Sequence, residues 1–89
     1  MKAYYDAVKK AMDSFFNEYR PAPTGEDAEH VQTIAASIMK TRDGVMFGGS
    51  FAHAVVENNL EAAVGRADTI CLRNLAFFVY CKNHVHVNK

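Results

Sequence analysis

The feature of this sequence that most constrains its fold is the regular spacing of apolar side chains in its N-terminal part. They recur at steps of three and four residues, with charged and amide side chains between them: Tyr4, Val8, Ala11, Met12, Phe15, Phe16 and Tyr19. This period predicts an amphipathic helix over about residues 2–19. Pro21 and Pro23 follow, and because proline disfavours helical geometry in the residue before it, we expect the helix to end there and an extended linker to begin.

A second helix is predicted after this linker. Thr24 and Asp27 stand three residues apart, a spacing typical of a capping box, in which each side chain satisfies a free amide of the first turn. A second apolar stripe follows, and Arg42 and Gly44 are typical of a helix C-terminus. The helix is therefore expected over about residues 25–41.

Two short helices are predicted in the second half of the chain. The segment 43–50 holds three of the five glycines and has no periodic pattern, which indicates a loop. Two short apolar stretches follow it, separated by Asn58 and Asn59, and the second stretch ends at Gly65. Because asparagine favours helix caps and glycine favours helix ends, we expect two short helices that meet at an angle.

The last helix is expected to be long and apolar on more than one stripe. Asp68 suits its N-cap, and the apolar pattern continues to about residue 83. Cys71 and Cys81 lie ten residues apart within this helix. We therefore expect them to point in different directions and to be reduced core residues rather than a disulfide.

Together these elements predict an all-α fold with a single domain over residues 1–89. The expected architecture is a small bundle of four to five helices, with two long helices at about 2–19 and 68–83 and shorter helices between them. A chain of 89 residues buries only about 60–65% of its unfolded surface, so its own core stabilises it modestly. With 49% hydrophobic residues in so short a chain, we expect a homo-oligomer.

The charge balance excludes some classes of partner. Ten basic and ten acidic side chains give a formal net charge of zero, without blocks of like charge. A protein that binds nucleic acid non-specifically needs a basic face that displaces counterions, so we expect no such binding. No apolar run reaches the roughly 18–20 residues of a membrane span, and we expect no membrane association and a place in the cytosol of the host cell.

Residues for metal or enzyme chemistry are few. The four histidines and two cysteines form no CxxC or HxxxH pattern, so neither a metal site nor a cofactor is expected. Ser50 and His53 lie on one helical turn, as a nucleophile and a base could. Ser50 is better explained as part of a helix start, and the chain is predicted not to be an enzyme.

Two groups of residues are candidates for ligand binding. Gly48, Gly49 and Ser50 open a helix, where glycine amides and the partial positive charge of the helix N-terminus favour an anion; the alternative is that the glycines only form a turn. Arg66 and Arg73 flank Asp68, as would suit a charged or hydrogen-bonding partner. The alternative for this second group is helix caps and an intramolecular salt bridge.

These residues also carry a resemblance that covers residues 44–80. The pattern is similar to one in small uncharacterised proteins of tailed phages and prophages, and it consists of Gly48-Gly49-Ser50-Phe51, Ala54-Val55, Asn58-Asn59-Leu60, Ala63 and Arg66-Ala67-Asp68. The chain departs from it at Asn59, where members carry aspartate, and at Cys71, where they carry asparagine.

The resemblance implies a phage-type protein that counters host defence by binding, without catalysis. In the first mode it sequesters a small anionic nucleotide signal in pockets between subunits, and the ligand-binding residues are then Gly48, Gly49, Ser50, Phe51, Asn59, Arg66, Asp68 and Arg73. In the second mode it inhibits a host defence protein, such as a CRISPR complex, by covering its surface with an exposed aromatic patch. A structural or regulatory phage protein is the third alternative. Sequestration predicts that Arg66 converges with the amides of 48–50, whereas inhibition of a protein predicts an exposed apolar patch.

Overall fold

The computed structural model of the protein describes residues 2–87. This part of the chain forms six helices and no β-strand: α1 (Lys2–Phe15), α2 (Gly25–Arg42), α3 (Ser50–Val56), α4 (Leu60–Arg66), α5 (Thr69–Arg73) and α6 (Leu75–His84). The all-helical prediction is confirmed for these residues. The predicted number of helices was wrong, because the expected last helix is divided in two.

Helix α1 ends earlier than the apolar spacing predicted, at Phe15 rather than near Tyr19. The Asn17 side-chain oxygen accepts hydrogen bonds from the backbone amides of Tyr19, at 2.9 Å, and of Arg20, at 3.1 Å. Arg20 in turn donates through Nε and Nη2 to the Phe15 carbonyl oxygen, at 3.1 and 2.8 Å. These side-chain hydrogen bonds take the place of those in the next helical turn. The helix therefore ends before the chain reaches Pro21. Tyr19 is consequently 90% exposed and lies outside the core.

The boundaries of α2 agree with the prediction to within one residue, but its capping differs. Thr24 is the N-cap residue, yet its side chain makes no capping hydrogen bond, so the predicted capping box is absent. At the other end Gly44 has a positive φ of 73°, a conformation that glycine adopts without steric cost. Its amide donates to the Thr41 carbonyl oxygen at 3.2 Å, which closes the helix as expected.

The predicted last helix is broken at Asn74. The Asn74 side-chain amide donates to the Ile70 carbonyl oxygen at 2.8 Å, a local bond of the kind through which asparagine competes with regular helix. The chain turns there and resumes, because the amide of Phe78 donates to the Asn74 carbonyl oxygen at 3.1 Å. Helices α5 and α6 are therefore two segments of a nearly continuous rod.

The two short helices meet at Asn58 and Asn59, as the sequence predicted. Asn58 has a positive φ of 62°, which asparagine tolerates better than other non-glycine residues. The Asn59 side-chain oxygen accepts a hydrogen bond from the Ala62 amide at 3.0 Å and so caps α4. This sharp reversal folds α4 back against α3.

One hydrophobic cluster holds the helices together. Its largest fully buried side chains are Tyr4, Phe77, Phe78, Ile38, Met39, Val8, Val31 and Cys81. Phe15 is the centre of an aromatic group, with ring centroids 5.4 Å from Phe77 and 5.2 Å from Tyr80. Such pairs add about 0.5–1.5 kcal/mol each beyond the burial of their surface. Both cysteines are free and buried, in agreement with the prediction that they are core residues.

Within residues 2–87, none of the helices combines the length and the apolar character needed to cross a membrane.

Candidate functional site

The predicted glycine site is a packing contact at Gly48. Gly48 is buried, and a Cβ atom placed there would overlap Thr41 Oγ1 and lie 3.2 Å from Ser37 Oγ. Gly48 therefore lets α3 approach α2 closely. Gly49 is the N-cap residue of α3, a helix of only seven residues, and Phe51 turns its ring towards Phe78, 5.7 Å away.

The predicted polar residues fall into two groups. Asn59 and Asp68 are helix caps, since the Asp68 Oδ1 atom accepts a hydrogen bond from the Cys71 amide at 2.7 Å. Arg66 and Arg73 are exposed. Among residues 2–87 neither arginine forms an ion pair with Asp68, whose carboxylate pairs with His30 instead. Asn59 and Asp68 therefore act as helix caps. The salt bridge predicted between Asp68 and a flanking arginine is not formed within residues 2–87.

The predicted ligand-binding residues line no common cleft among the three clefts found in the described part of the chain. None of the three is lined by the segment 48–51 or by Arg66. Asn59 lines the first cleft, and Arg73 lines the third together with Pro21, Pro23 and Asp27. That Arg66 converges with the amides of residues 48–50, as sequestration predicts, stays a prediction.

An apolar groove lies between α4 and α6. It encloses about 140 Å³. Its floor comes from α3 and its walls from α4 and α6; the lining residues are Ala54, Val55, Asn58, Asn59, Leu60, Ala63, Leu75 and Val79. At the α6 end, Lys82 Nζ donates to the Asn58 side-chain oxygen and closes the groove with a polar contact.

Leu60 and Val79, which line this groove, face solvent, and so do Val64 on α4 and Leu72 on α5. Leu60 is 67% exposed, Val64 44%, Leu72 50% and Val79 41%. Leu60 and Val64 are one turn apart on α4, and Leu72 and Val79 lie two turns apart on the rod formed by α5 and α6, so each pair shares a side. We call these four residues and the groove the α4–α6 face. Exposed apolar patches of this kind mark interaction sites.

A second cluster brings together three residues with different donor atoms. His30 on α2 places its Nε2 atom 2.8 Å from Asp68 Oδ2 and 3.9 Å from Cys71 Sγ. The three donor atoms all lie within 4.8 Å of one another. The His30 and Asp68 side chains are 40% and 55% exposed, whereas Cys71 is only 3% exposed. The thiol thus forms the base of a shallow site whose outer side is open.

The environment of this cluster shifts the pKa values of two of its members. The hydrogen bond from the Cys71 amide lowers the pKa of Asp68, and the contact with His30 lowers it further, against a smaller opposing effect of burial. Burial raises the pKa of the Cys71 thiol to about 12, and the neighbouring Asp68 carboxylate adds to this shift. Cys71 is therefore a neutral thiol at neutral pH, not a free nucleophilic thiolate.

Ser50 and His53 both lie on α3. No hydrogen bond joins their side chains in the described structure; instead the His53 ring lies 4.2 Å from the Phe47 ring, and its Nδ1 atom lies 3.8 Å from the Glu57 carboxylate. Ser50 is exposed at the start of α3.

The His30 cluster was not predicted from the sequence, because Asp68 and Cys71 lie 38 and 41 residues away from His30 along the chain. The only local signal was the position of His30 beside the buried Val31 on α2.

Neither a protein-family model, nor a curated protein, nor a solved structure matches this chain. The resemblance to phage proteins therefore stays a prediction. The α4–α6 face, the His30 cluster and the exposed apolar side chains of residues 45–47 are candidate binding features among the described residues.

Proposed function

We propose that this chain is a small, non-enzymatic, phage-type binding protein that counters host defence, and that it works as a homodimer joined through the α4–α6 face. The exposure of Leu60 and Val79 in one apolar groove, with Val64 and Leu72 also exposed on α4 and α5, is the observation that carries the proposal. Covering these side chains removes apolar surface from water, at about 25 cal/mol for each Å². A chain with so small a core gains stability from such association.

A second copy of the chain is the occupant that the charges favour. On α4, Glu61 follows Leu60 on the side away from the buried Ala63, and on α5 Arg73 follows Leu72. We propose that Glu61 and Arg73, which are both exposed, form the acidic edge and the basic edge of this interface. A two-fold axis that runs along the groove places Glu61 of each protomer opposite Arg73 of the other, and such self-complementarity is what a symmetric interface requires. Because the net charge is zero, the two copies do not repel each other.

The ligand that such a dimer would sequester is a small anion, such as a nucleotide. Arg66 and Arg73 are exposed, and neither is engaged by Asp68. In a dimer, the Arg73 edge of one copy borders the groove of the other copy. A site between subunits can therefore collect arginines that do not converge in one chain, and arginine is the side chain best suited to phosphate groups.

The dimer is tested by sedimentation velocity over a range of protein concentrations. We expect the wild-type chain to dimerise, and Leu60→Asp and Leu72→Asp to weaken the dimer by at least about tenfold, since a charge buried in an apolar interface costs more than 1.4 kcal/mol. Tyr19→Asp is the matched control, because Tyr19 is an exposed apolar side chain outside this face. A chain that stays monomeric at every concentration contradicts the dimer and leaves the face free for a host protein.

Sequestration is tested separately by native mass spectrometry with a panel of linear and cyclic nucleotides. We expect a stoichiometric adduct that Arg66→Ala or Arg73→Ala removes. Lys9→Ala is the control for loss of a surface charge on α1, since Lys9 is exposed there. A dimer that binds no member of the panel rules out nucleotide sequestration but leaves the self-association intact.

Inhibition of a host protein is the second candidate, and one observation favours it. The loop after α2 exposes Val45, Met46 and Phe47, with Phe47 88% exposed. The Phe47 ring contacts the His53 ring, with centroids 4.2 Å apart and planes tilted by 48°, and an exposed aromatic side chain is a typical anchor of a protein interface. If this candidate is correct, Phe47→Asp abolishes binding to a purified defence complex while the dimer persists.

A further inference from the structure

We propose that His30, Asp68 and Cys71 form a binding site for a single Zn²⁺ ion, independent of the dimer and of any nucleotide. The site combines an imidazole nitrogen, a carboxylate oxygen and a thiol sulfur, which are the three donor types that zinc takes in proteins. Imidazole and thiolate disfavour Ca²⁺ and Mg²⁺, which bind oxygen atoms. The donor set therefore favours zinc over Ca²⁺ and Mg²⁺.

Two of the three donor separations can be compared directly with those of a tetrahedral site, and the third, between the donor atoms of Asp68 and Cys71, is within 4.8 Å. With metal–ligand bonds of about 2.0–2.3 Å, a tetrahedron separates a nitrogen and an oxygen ligand by roughly 3.3 Å and a nitrogen and a sulfur ligand by roughly 3.6 Å. The corresponding separations here are 2.8 Å between His30 Nε2 and Asp68 Oδ2, and 3.9 Å between His30 Nε2 and Cys71 Sγ. Shifts of about half an ångström or less in the two side chains on the outer side would bring both pairs to the separations that zinc requires.

The backbone fixes two of the ligands before the ion arrives. Asp68 and Cys71 are the N-cap and the third residue of α5, and the bond of 2.7 Å from the Cys71 amide to Asp68 Oδ1 orients the carboxylate. The other carboxylate oxygen, Oδ2, is thereby directed at His30. Hydrogen bonds of this kind, which orient a ligating carboxylate, are regular partners of metal ligands in proteins.

The exposed outer side of the cluster gives an ion a route of entry. The more exposed His30 and Asp68 lie on the outer side, and the buried Cys71 lies beneath them. Three protein ligands leave the fourth position to water or to another molecule, as in zinc sites that are not closed. A bound ion would link α2 to α5, so that it stabilises the folded chain as well as binding to it.

The experiment uses the full-length chain and Co²⁺ as the probe, because cobalt reports its ligands by absorption. We expect one equivalent of Co²⁺ to give the visible bands of a four-coordinate ion together with thiolate-to-metal charge transfer. Zn²⁺ should displace the cobalt and raise the melting temperature. Cys71→Ser should abolish the charge-transfer band, and His30→Gln should weaken binding by at least about tenfold, as the loss of a ligand costs no less than the loss of an outer partner.

Two control variants identify the ligands. Cys81→Ser removes the other buried thiol, and the double substitution His84→Gln with His86→Gln removes the histidines near the C-terminus; neither should change the cobalt spectrum. If Cys71→Ser fails to fold, the cobalt affinity of His30→Gln tests the site instead. His30 is partly exposed, so its replacement leaves the core intact. The proposal is overturned if Co²⁺ does not bind, if the thiolate-to-metal charge-transfer band persists in Cys71→Ser, or if the double histidine variant removes cobalt binding.

Discussion

The Arg42 guanidinium donates a hydrogen bond of 2.6 Å to the Val85 carbonyl oxygen and thereby joins the C-terminus of α2 to the residue that follows α6. The same Nη1 atom lies 3.1 Å from the carbonyl oxygens of Cys81 and Lys82. Helix C-termini leave such carbonyl groups without partners and carry partial negative charge. Arg42 thus caps α6 from another helix, while Asp43 orients its guanidinium through two bonds of 2.8 and 3.1 Å.

Replacement of this arginine should destabilise the fold. Because hydrogen bonds of a charged group contribute about 1.5–3 kcal/mol, we expect Arg42→Ala to lower the free energy of unfolding by about 2–3 kcal/mol. Urea denaturation followed by circular dichroism measures the change. Arg66→Ala is the matched control, since the exposed Arg66 has no hydrogen bond or ion pair within the described residues, and we expect a change below about 0.5 kcal/mol there. Equal effects of the two substitutions would contradict the capping role.

The sequence predicted the parts of the fold that depend on local patterns. The apolar period placed α2 within one residue of its observed ends, and Asn59 and Gly44 were correctly assigned to helix boundaries. The early end of α1 was not predictable from the apolar spacing, because the bonds of Asn17 and Arg20 to nearby backbone groups override it. The same holds for the break at Asn74.

The candidate sites depend on contacts that no local pattern carries. His30 meets Asp68 only because α2 packs against α5, 38 residues further along the chain. Similarly, the apolar residues of the last helix predicted that it is central or lies at an interface, but not that Val79 remains exposed because α4 packs on α3 and leaves a groove beside α6. Periodicity indicates which residues are apolar, but the arrangement of the helices decides which of them are covered.

A second prediction concerns alkaline pH and Tyr4. Its hydroxyl group donates to Asp43 Oδ2 at 2.8 Å; burial of the ring and the bond to this carboxylate both raise the pKa of Tyr4 above 10.0. Above that pH the unfolded chain loses the phenol proton while the folded chain retains it, so stability falls as pH rises. We expect the wild-type chain to lose more unfolding free energy between about pH 8 and about pH 11 than Tyr4→Phe does.

Tyr19→Phe provides the comparison for this measurement, because Tyr19 is 90% exposed. Its unfolding free energy should fall with pH as that of the wild type does. Chemical denaturation at each pH gives the values. If Tyr4→Phe shows the same pH dependence as the wild type, the Tyr4 hydroxyl does not keep its proton in the folded state and the interpretation is incorrect.

A third prediction concerns the two thiols. Burial raises the pKa of Cys71 and of Cys81 to about 12, so only about one molecule in ten thousand carries a given thiolate at pH 8. Alkylation by iodoacetamide, followed by mass spectrometry, should be slow in the folded chain and fast in urea. Cys71 should react before Cys81, because its neighbours His30 and Asp68 are exposed. Rapid labelling of Cys71 in the folded chain would instead indicate an activated thiol.

The last prediction separates a packing role of Gly48 from a ligand-binding role. Since a Cβ atom at this position would overlap Thr41 Oγ1 and crowd Ala52 Cβ at 3.2 Å, Gly48→Ala must displace the Thr41 side chain or push α3 away from α2. We expect a loss of about 1–3 kcal/mol of unfolding free energy, as for other overpacked sites. Gly65→Ala should have the opposite sign, because Gly65 lies inside α4 with open space around it, and alanine in a helix is more stable by about 0.5–1 kcal/mol. Thermal and urea unfolding of the two variants measure the change in unfolding free energy, which we expect to be a loss for Gly48→Ala and a gain for Gly65→Ala. A Gly48→Ala chain of unchanged stability would show that α2 and α3 are not in close contact there, and would return the glycine loop to consideration as an anion site.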